Sequence, residues 1–144
     1  MTTQSEWQER NDPLIKAFRA SNGRLDGSGR GRSLLLLTTT GARSGQPRVA
    51  PLAFTRSGED YVVIASKGGS PSHPDWYHNL VRHPTVTVEV GGETFEARAR
   101  VAEGAEHDAL FDAQAREMPN FAEYQQKTSR KIPVVVLERL SAVR

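Results

Sequence analysis

The sequence contains no cysteine, which excludes a disulfide framework, thiolate zinc sites and iron–sulfur clusters. No apolar run approaches the roughly 20 residues that a membrane-crossing helix needs. Met1–Arg10 is polar and lacks the apolar centre of a secretory signal, so the expectation is a soluble, cytoplasmic protein. Charge of one sign is also lacking. A formal net charge of +2 in 144 residues makes no global field, so functional basicity has to come from local clusters. Without internal repeats or low-complexity tracts, the chain reads as one barrel-sized domain over 33–144, preceded over 1–32 by a helix and a flexible basic linker.

What the sequence does have is strand patterning. Ser33–Thr39 is an apolar run breaking into threonines, and Gly41, Ser44, Gly45 and Pro47 punctuate a turn before a second strand, Arg48–Arg56. Ser57–Asp60 turns the chain into a third strand, Tyr61–Ser66, and these strands are expected to be sequential antiparallel neighbours. Thr85–Val90 and Thr94–Val101 alternate with period two around Gly91-Gly92, a hairpin. Ile132–Leu137 is a terminal apolar strand. Four helices complete the pattern. Pro13–Ser21 follows an Asp12 cap, Ser72 with Asp75 opens a helix running to about Arg82, Glu103–Glu117 is the third, and Asn120 with Glu123 caps a brief fourth. The expected fold is α+β, mainly β: a six-stranded antiparallel split barrel with flanking helices, because most strand connections are hairpins.

Two basic, glycine-bearing strand ends carry the chemistry. The loop after the first strand holds Arg43 and Arg48 among small residues, so backbone N–H groups and guanidinium forks can converge on an anion such as a phosphate. The third strand ends in Lys67-Gly68-Gly69, and a helix start bearing Trp76 follows. Arg30 and Arg32, in the glycine-rich Arg24–Arg32 linker, could close over an acidic ligand tail. Four histidines, His73, His78, His83 and His107, raise the question of a metal site. His73 and His78 would lie about 140° apart around a helix, and no H-E-x-x-H motif occurs, so no metal is expected. Ser44 sits in G-A-R-S-G, which is no nucleophile elbow. A nucleic-acid-binding barrel is a second class of reading, with Trp76, Tyr77 and Phe121 stacking bases while Arg43, Arg48 and Lys67 meet phosphates. Glu89, Glu93 and Glu96 oppose it. For the first helix, packing on the barrel competes with a peripheral membrane contact through Leu14, Ile15, Ala17 and Phe18.

The segments TTTGARSGQPRVAPL, VIASKGGSPSHPDWYHNL, HPTVTVEVGG and IPVVVLERL resemble the deazaflavin-dependent nitroreductase family, actinobacterial oxidoreductases that use coenzyme F420 on a split β-barrel. The resemblance runs from about Arg32 to Glu138. It implies hydride transfer from reduced F420 to an electron-poor small molecule, an enone or unsaturated lactone, a quinone or a nitro-aromatic. It also implies that Ala42, Arg43, Ser44, Arg48, Ala65, Ser66, Lys67 and Gly68 hold the phosphate, ribityl chain and ring edge. Val49, Ala50 and Pro51 would lie against the ring, and Asp75, Trp76, Tyr77, His78 and Asn79 would line the groove. Tyr124 matches a tyrosine on the substrate side, and Tyr124 or Ser66 is the candidate proton donor, with solvent as the alternative. Ala53, Phe121 and Lys127 stand where other members carry aromatic residues, which points away from nitroimidazoles toward a bulkier lactone or quinone. FMN is the alternative cofactor, and a non-catalytic F420- or FMN-binding role the alternative function.

Overall fold

The computed structural model describes residues 13–20, 34–69 and 72–140. The first helix, α1, spans 13–20; its expected cap Asp12, its last residue Ser21 and the linker with Arg30 and Arg32 lie outside the described residues. The chain continues through β1 (Leu34–Thr40), β2 (Pro47–Ala53), β3 (Thr55–Ser57), β4 (Asp60–Ile64), a 3-10 turn (Lys67–Gly69) and α2 (Asp75–Arg82). After these come β5 (Thr85–Val90), β6 (Glu93–Val101), α3 (Gly104–Glu117), α4 (Asn120–Gln126) and β7 (Val134–Arg139).

The strands form a seven-stranded antiparallel sheet in the order β2-β1-β5-β6-β7-β4-β3. This corrects the expected count of six, because the second strand breaks at Phe54 into β2 and β3; the expected pairing of sequential neighbours holds, β1 with β2 and β3 with β4, while β4 also pairs with β7. The physical reason lies in the break itself. β2 and β3 occupy opposite edges of the sheet yet are joined through one residue, so the sheet must curl until its edges meet there. The result is a split β-barrel with flanking helices.

Strand composition follows from which faces are covered. β5 and β6 alternate, with Val86, Val88, Val90, Phe95, Ala97 and Ala99 buried inside and polar residues outside. β1, β4 and β7 are apolar on both faces because both are covered. Leu35 and Leu37 point into the barrel, while Leu36 points out to Ile15 and Phe18 of α1. Val63, Val135 and Leu137 join the interior, while Val62, Ile64, Val134 and Val136 meet Phe111, Met118 and Phe121 of the α3–α4 side. Ile15 and Phe18 of α1 are therefore occupied against the barrel, and Arg19 adds a two-pronged contact to Glu89 at 3.1 and 2.8 Å.

The expected helix caps are not made by side chains. α2 starts after Pro74 and α4 after Pro119, each without a side-chain cap. Ser72 instead accepts a hydrogen bond from Lys67 Nζ at 3.4 Å, and Asn120 donates to the Tyr124 hydroxyl. In both places a proline presets the helical entry, which leaves the polar neighbour available for other contacts.

Candidate active site

The β1–β2 loop is a closed turn. Gly41 N donates to Gln46 O at 2.8 Å, Gly45 N to Gly41 O at 2.9 Å, and Gln46 N to Ser44 Oγ at 3.1 Å. A Cβ at Gly41 would fall 2.5 Å from Ser44 Oγ and 3.2 Å from Gln46 O, so a side chain there would displace Ser44 from its bond to Gln46 N. The loop is tethered from outside by Asn79. This buried side chain accepts from Ala42 N at 2.9 Å and donates to Thr39 Oγ1 at 3.1 Å, so its amide is engaged at both ends. Asn79 thus acts as a strut between α2 and the loop. Arg43 is exposed on the turn, and Arg48 is half-buried on β2 opposite Thr39. Antiparallel partners share a face, so Arg48 and Ala50 face the side of Thr39 and Asn79, whereas Val49 and Pro51 face the side of Leu36 and α1.

The second strand end is held more tightly. Ala65 and Ser66 are buried, and Lys67 is the one described non-glycine residue with positive φ, 47°. Backbone in this region is strained for a side chain and persists where its surroundings hold it. Arg130 is what holds it. It donates to Ala65 O at 3.1 Å and Ser66 O at 2.7 Å, and its Nη1 lies 2.9 Å from His73 Nδ1. A guanidinium can only donate, so His73 accepts there as a neutral ring. Burial foremost, then the Arg130 and His78 charges, holds His73 below its ordinary value. Gly69, at φ 82°, presses on α4: a Cβ would meet Tyr124 O at 2.8 Å and Lys127 Cβ at 2.9 Å.

Several cations elsewhere in the described residues are matched by carboxylates or carbonyls, although Lys16, Arg82, Arg98 and Arg116 make no such contact. Arg100 contacts Glu106 and Glu138, Arg139 contacts Glu93, and Arg56 lies 4.0 Å over the Tyr61 ring with bonds to backbone carbonyls. Among the described residues, Arg43 and Arg48 make no ion pair, and Lys67 reaches only the neutral Ser72 hydroxyl. Arg43 and Arg48 at the first strand end and Lys67 at the second thus meet no counter-charge among the described residues, which is chemistry suited to an anionic ligand group.

Around this set the other candidate residues divide. Trp76 and Tyr77 are half-buried against the barrel core, Asp75 and His78 are exposed, and His73, Tyr77 and His78 form a ring cluster with centroids 4.7–5.7 Å apart. Ala53 of β2 and Tyr124 of α4 pack on the same outer apolar cluster as Phe121. Phe121 and Tyr124 meet edge to face at 5.5 Å, and Lys127 Nζ lies 5.8 Å from the Tyr124 ring. Through Gly69 this group, with Tyr124 and Lys127, abuts the Lys67 loop. Sequence reasoning missed Arg130 and misassigned Asn120 to a cap. Arg130 precedes the last strand in a polar stretch and reaches carbonyls 65 and 64 positions earlier, a partnership with no local signal.

A family model described as F420H(2)-dependent quinone reductase matches residues 13–139. An F420H(2)-dependent quinone reductase of Mycobacterium tuberculosis is 41% identical over 126 residues, 85% of each chain. A solved F420-H2 dependent reductase, FDR-A, is 42% identical and superposes with a TM-score of 0.68, covering 73% of this chain and 93% of that one. A solved structure described as a domain-swapped dimer is 37% identical with a TM-score of 0.70, covering 94% and 100%.

Proposed function

The chain belongs to the F420H(2)-dependent quinone reductase family, and on that premise we propose which of its residues carry the reaction. It is an F420H2-dependent oxidoreductase whose acceptor is a quinone-type small molecule. Reduced F420, when bound, supplies a hydride, two electrons with one proton, and the quinone needs one more proton to become a hydroquinone.

Arg43, Arg48 and Ser44 hold the phosphate, and Lys67 meets the cofactor from the second loop. Ala42 and Ala65 border these contacts, and Asn79 and Arg130 hold the two loops in place. β2 is an edge strand, so it offers a row of main-chain groups not taken by a neighbouring strand. Val49, Ala50 and Pro51 present that edge to the ring, and proline is tolerated there for the same reason. Asp75, Trp76, Tyr77 and His78 line the groove beside it. On the acceptor side, Tyr124 donates the proton, with Ser66 as the alternative donor, while Phe121 and Lys127 form the wall. Ala53 has no phenol, which widens the space and favours a bulky quinone or unsaturated lactone over a nitroimidazole. We read the protein as cytoplasmic and α1 as a packing element, since Ile15 and Phe18 lie against Leu36.

One observation carries this assignment: the Lys67–Gly69 turn, whose lysine meets no carboxylate among the described residues, lies directly against α4, which bears Tyr124 and abuts Lys127. Titrating oxidised F420 and FMN separately, then following F420H2 oxidation with menadione, tests it. Tighter F420 binding and quinone-dependent oxidation are expected. Preference for FMN would overturn the cofactor reading, and tight F420 binding without oxidation would make the protein a carrier.

A further inference from the structure

Among the described residues, two buried side-chain polar atoms have no hydrogen-bond partner, Gln114 Nε2 and Asn120 Oδ1. Gln114 is fully buried and its other end accepts from Thr55 Oγ1 at 3.1 Å, a contact with neither Tyr124 nor Lys67. Asn120 differs because the other end of its amide reaches the acceptor side. Its Nδ2 donates to the Tyr124 hydroxyl oxygen at 2.9 Å, one helical turn along α4.

A phenol has one hydrogen to donate and lone pairs with which to accept. When Asn120 donates into that oxygen, the phenolic hydrogen cannot serve Asn120 and is left for another acceptor. The same amide N–H stabilises the negative charge that grows on the oxygen as the hydrogen departs. Turning the amide over would strand Nδ2 in place of Oδ1 and would draw the phenolic hydrogen to Asn120. The unpartnered atom is thus present in either orientation, and what the orientation decides is where the phenol points its hydrogen.

We propose that Asn120 is a positioning residue that keeps Tyr124 a hydrogen-bond donor to the carbonyl oxygen of a quinone-type acceptor. This rests on the assignment of Tyr124 to the acceptor side. In the proton step the Tyr124 O–H bond breaks and an O–H bond forms on the acceptor. The acceptor's two electrons and other proton arrive as the hydride, and the Tyr124 phenolate recovers its proton from water.

Asn120→Asp tests the proposal with an isosteric side chain that, ionised, can only accept and so captures the phenolic hydrogen. Two quantities are measured: menadione affinity of protein loaded with oxidised F420, by calorimetry, and the single-turnover rate of menadione reduction. We expect Asn120→Asp to lower both, the rate by about tenfold, matching Tyr124→Phe, because a general acid contributes roughly 10²–10⁴-fold where solvent cannot replace it. Asn120→Asp combined with Tyr124→Phe should be no slower than Tyr124→Phe alone, and F420 affinity should stay within about twofold in each variant. A slow Tyr124→Phe beside an Asn120→Asp with wild-type rate and affinity would overturn the role of Asn120 and leave that of Tyr124 standing. A wild-type rate in Tyr124→Phe would overturn both. Should Asn120→Asp fail to fold, Asn120→Ala with Tyr124→Phe decides: non-additive losses support the proposal, and additive ones overturn it.

Discussion

At the scale of single residues, environment separates cations paired with carboxylates from cations that make no ion pair. Arg100 is held by Glu106 at 2.6 Å and Glu138 at 3.3 Å, and those carboxylates raise its pKa. These groups are exposed, so solvent screens the pair and it adds little to stability. Arg48 and Lys67 have no such partners among the described residues. A charge-assisted hydrogen bond contributes roughly 1.5–3 kcal/mol, so Arg48→Ala and Lys67→Ala should each weaken F420 binding by about tenfold or more. Arg100→Ala should leave it unchanged, and fluorescence titration of F420 checks the contrast. His73 adds a pH dependence. Its folded-state pKa lies below the ordinary 6.5, chiefly through burial, so its neutral form is the one that fits beside Arg130. The contribution is complete above the ordinary value and is lost as pH falls through the lowered one. Thermal stability and F420 affinity should therefore decline as pH falls below the ordinary 6.5 and through the lowered value, and His73→Gln, which keeps an acceptor without titrating, should flatten that decline.

At the scale of elements, the informative contact is between the Lys67–Gly69 turn and α4. A Cβ at Gly69 would sit 2.8 Å from Tyr124 O, where backbone rather than a flexible side chain has to give way. Gly69→Ala should destabilise the protein by about 1–3 kcal/mol in urea denaturation, from overpacking and from φ strain. It should also move α4 and slow quinone reduction. Gly91 has a comparable φ of 58° with nothing near its would-be Cβ. Gly91→Ala should cost about 1 kcal/mol from backbone alone and leave the reduction rate untouched. The comparison separates strain in the chain from pressure on the site.

At the scale of the whole molecule, the sheet closes through Phe54, and helices cover the outer faces that would otherwise expose the apolar sides of β1, β4 and β7. α1 belongs to this cover. Phe18 is only 2% exposed and shares a cluster with Ile15 and Leu36, with Val49 of β2 packed alongside. Phe18→Ala should cost about 3–5 kcal/mol, read as a lowered urea midpoint, as expected for emptying an aromatic site in a core. Since Val49 lies on the strand proposed to support the ring, F420 affinity should fall as well. An α1 that served only to contact a membrane would show neither loss.

The amino-acid sequence by itself determined what depends on neighbours a few positions away. Period-two alternation marked β5 and β6 as a hairpin, and glycines with basic residues marked both strand-end loops. The long ordered motifs marked the family. Strand order, the break at Phe54 and the strut and clamp made by Asn79 and Arg130 were decided only by the tertiary structure. Asn79 bonds residues 37 and 40 positions away, and Arg130 bonds residues 57 to 65 positions away. The contact of Asn120 with Tyr124 was hidden for a different reason. The spacing of Asn120 to Glu123 suggested a cap, but Pro119 supplied the helix entry, and the amide turned to Tyr124. Local propensity limits which conformations a residue can adopt, and packing chooses among the partners those conformations bring within reach.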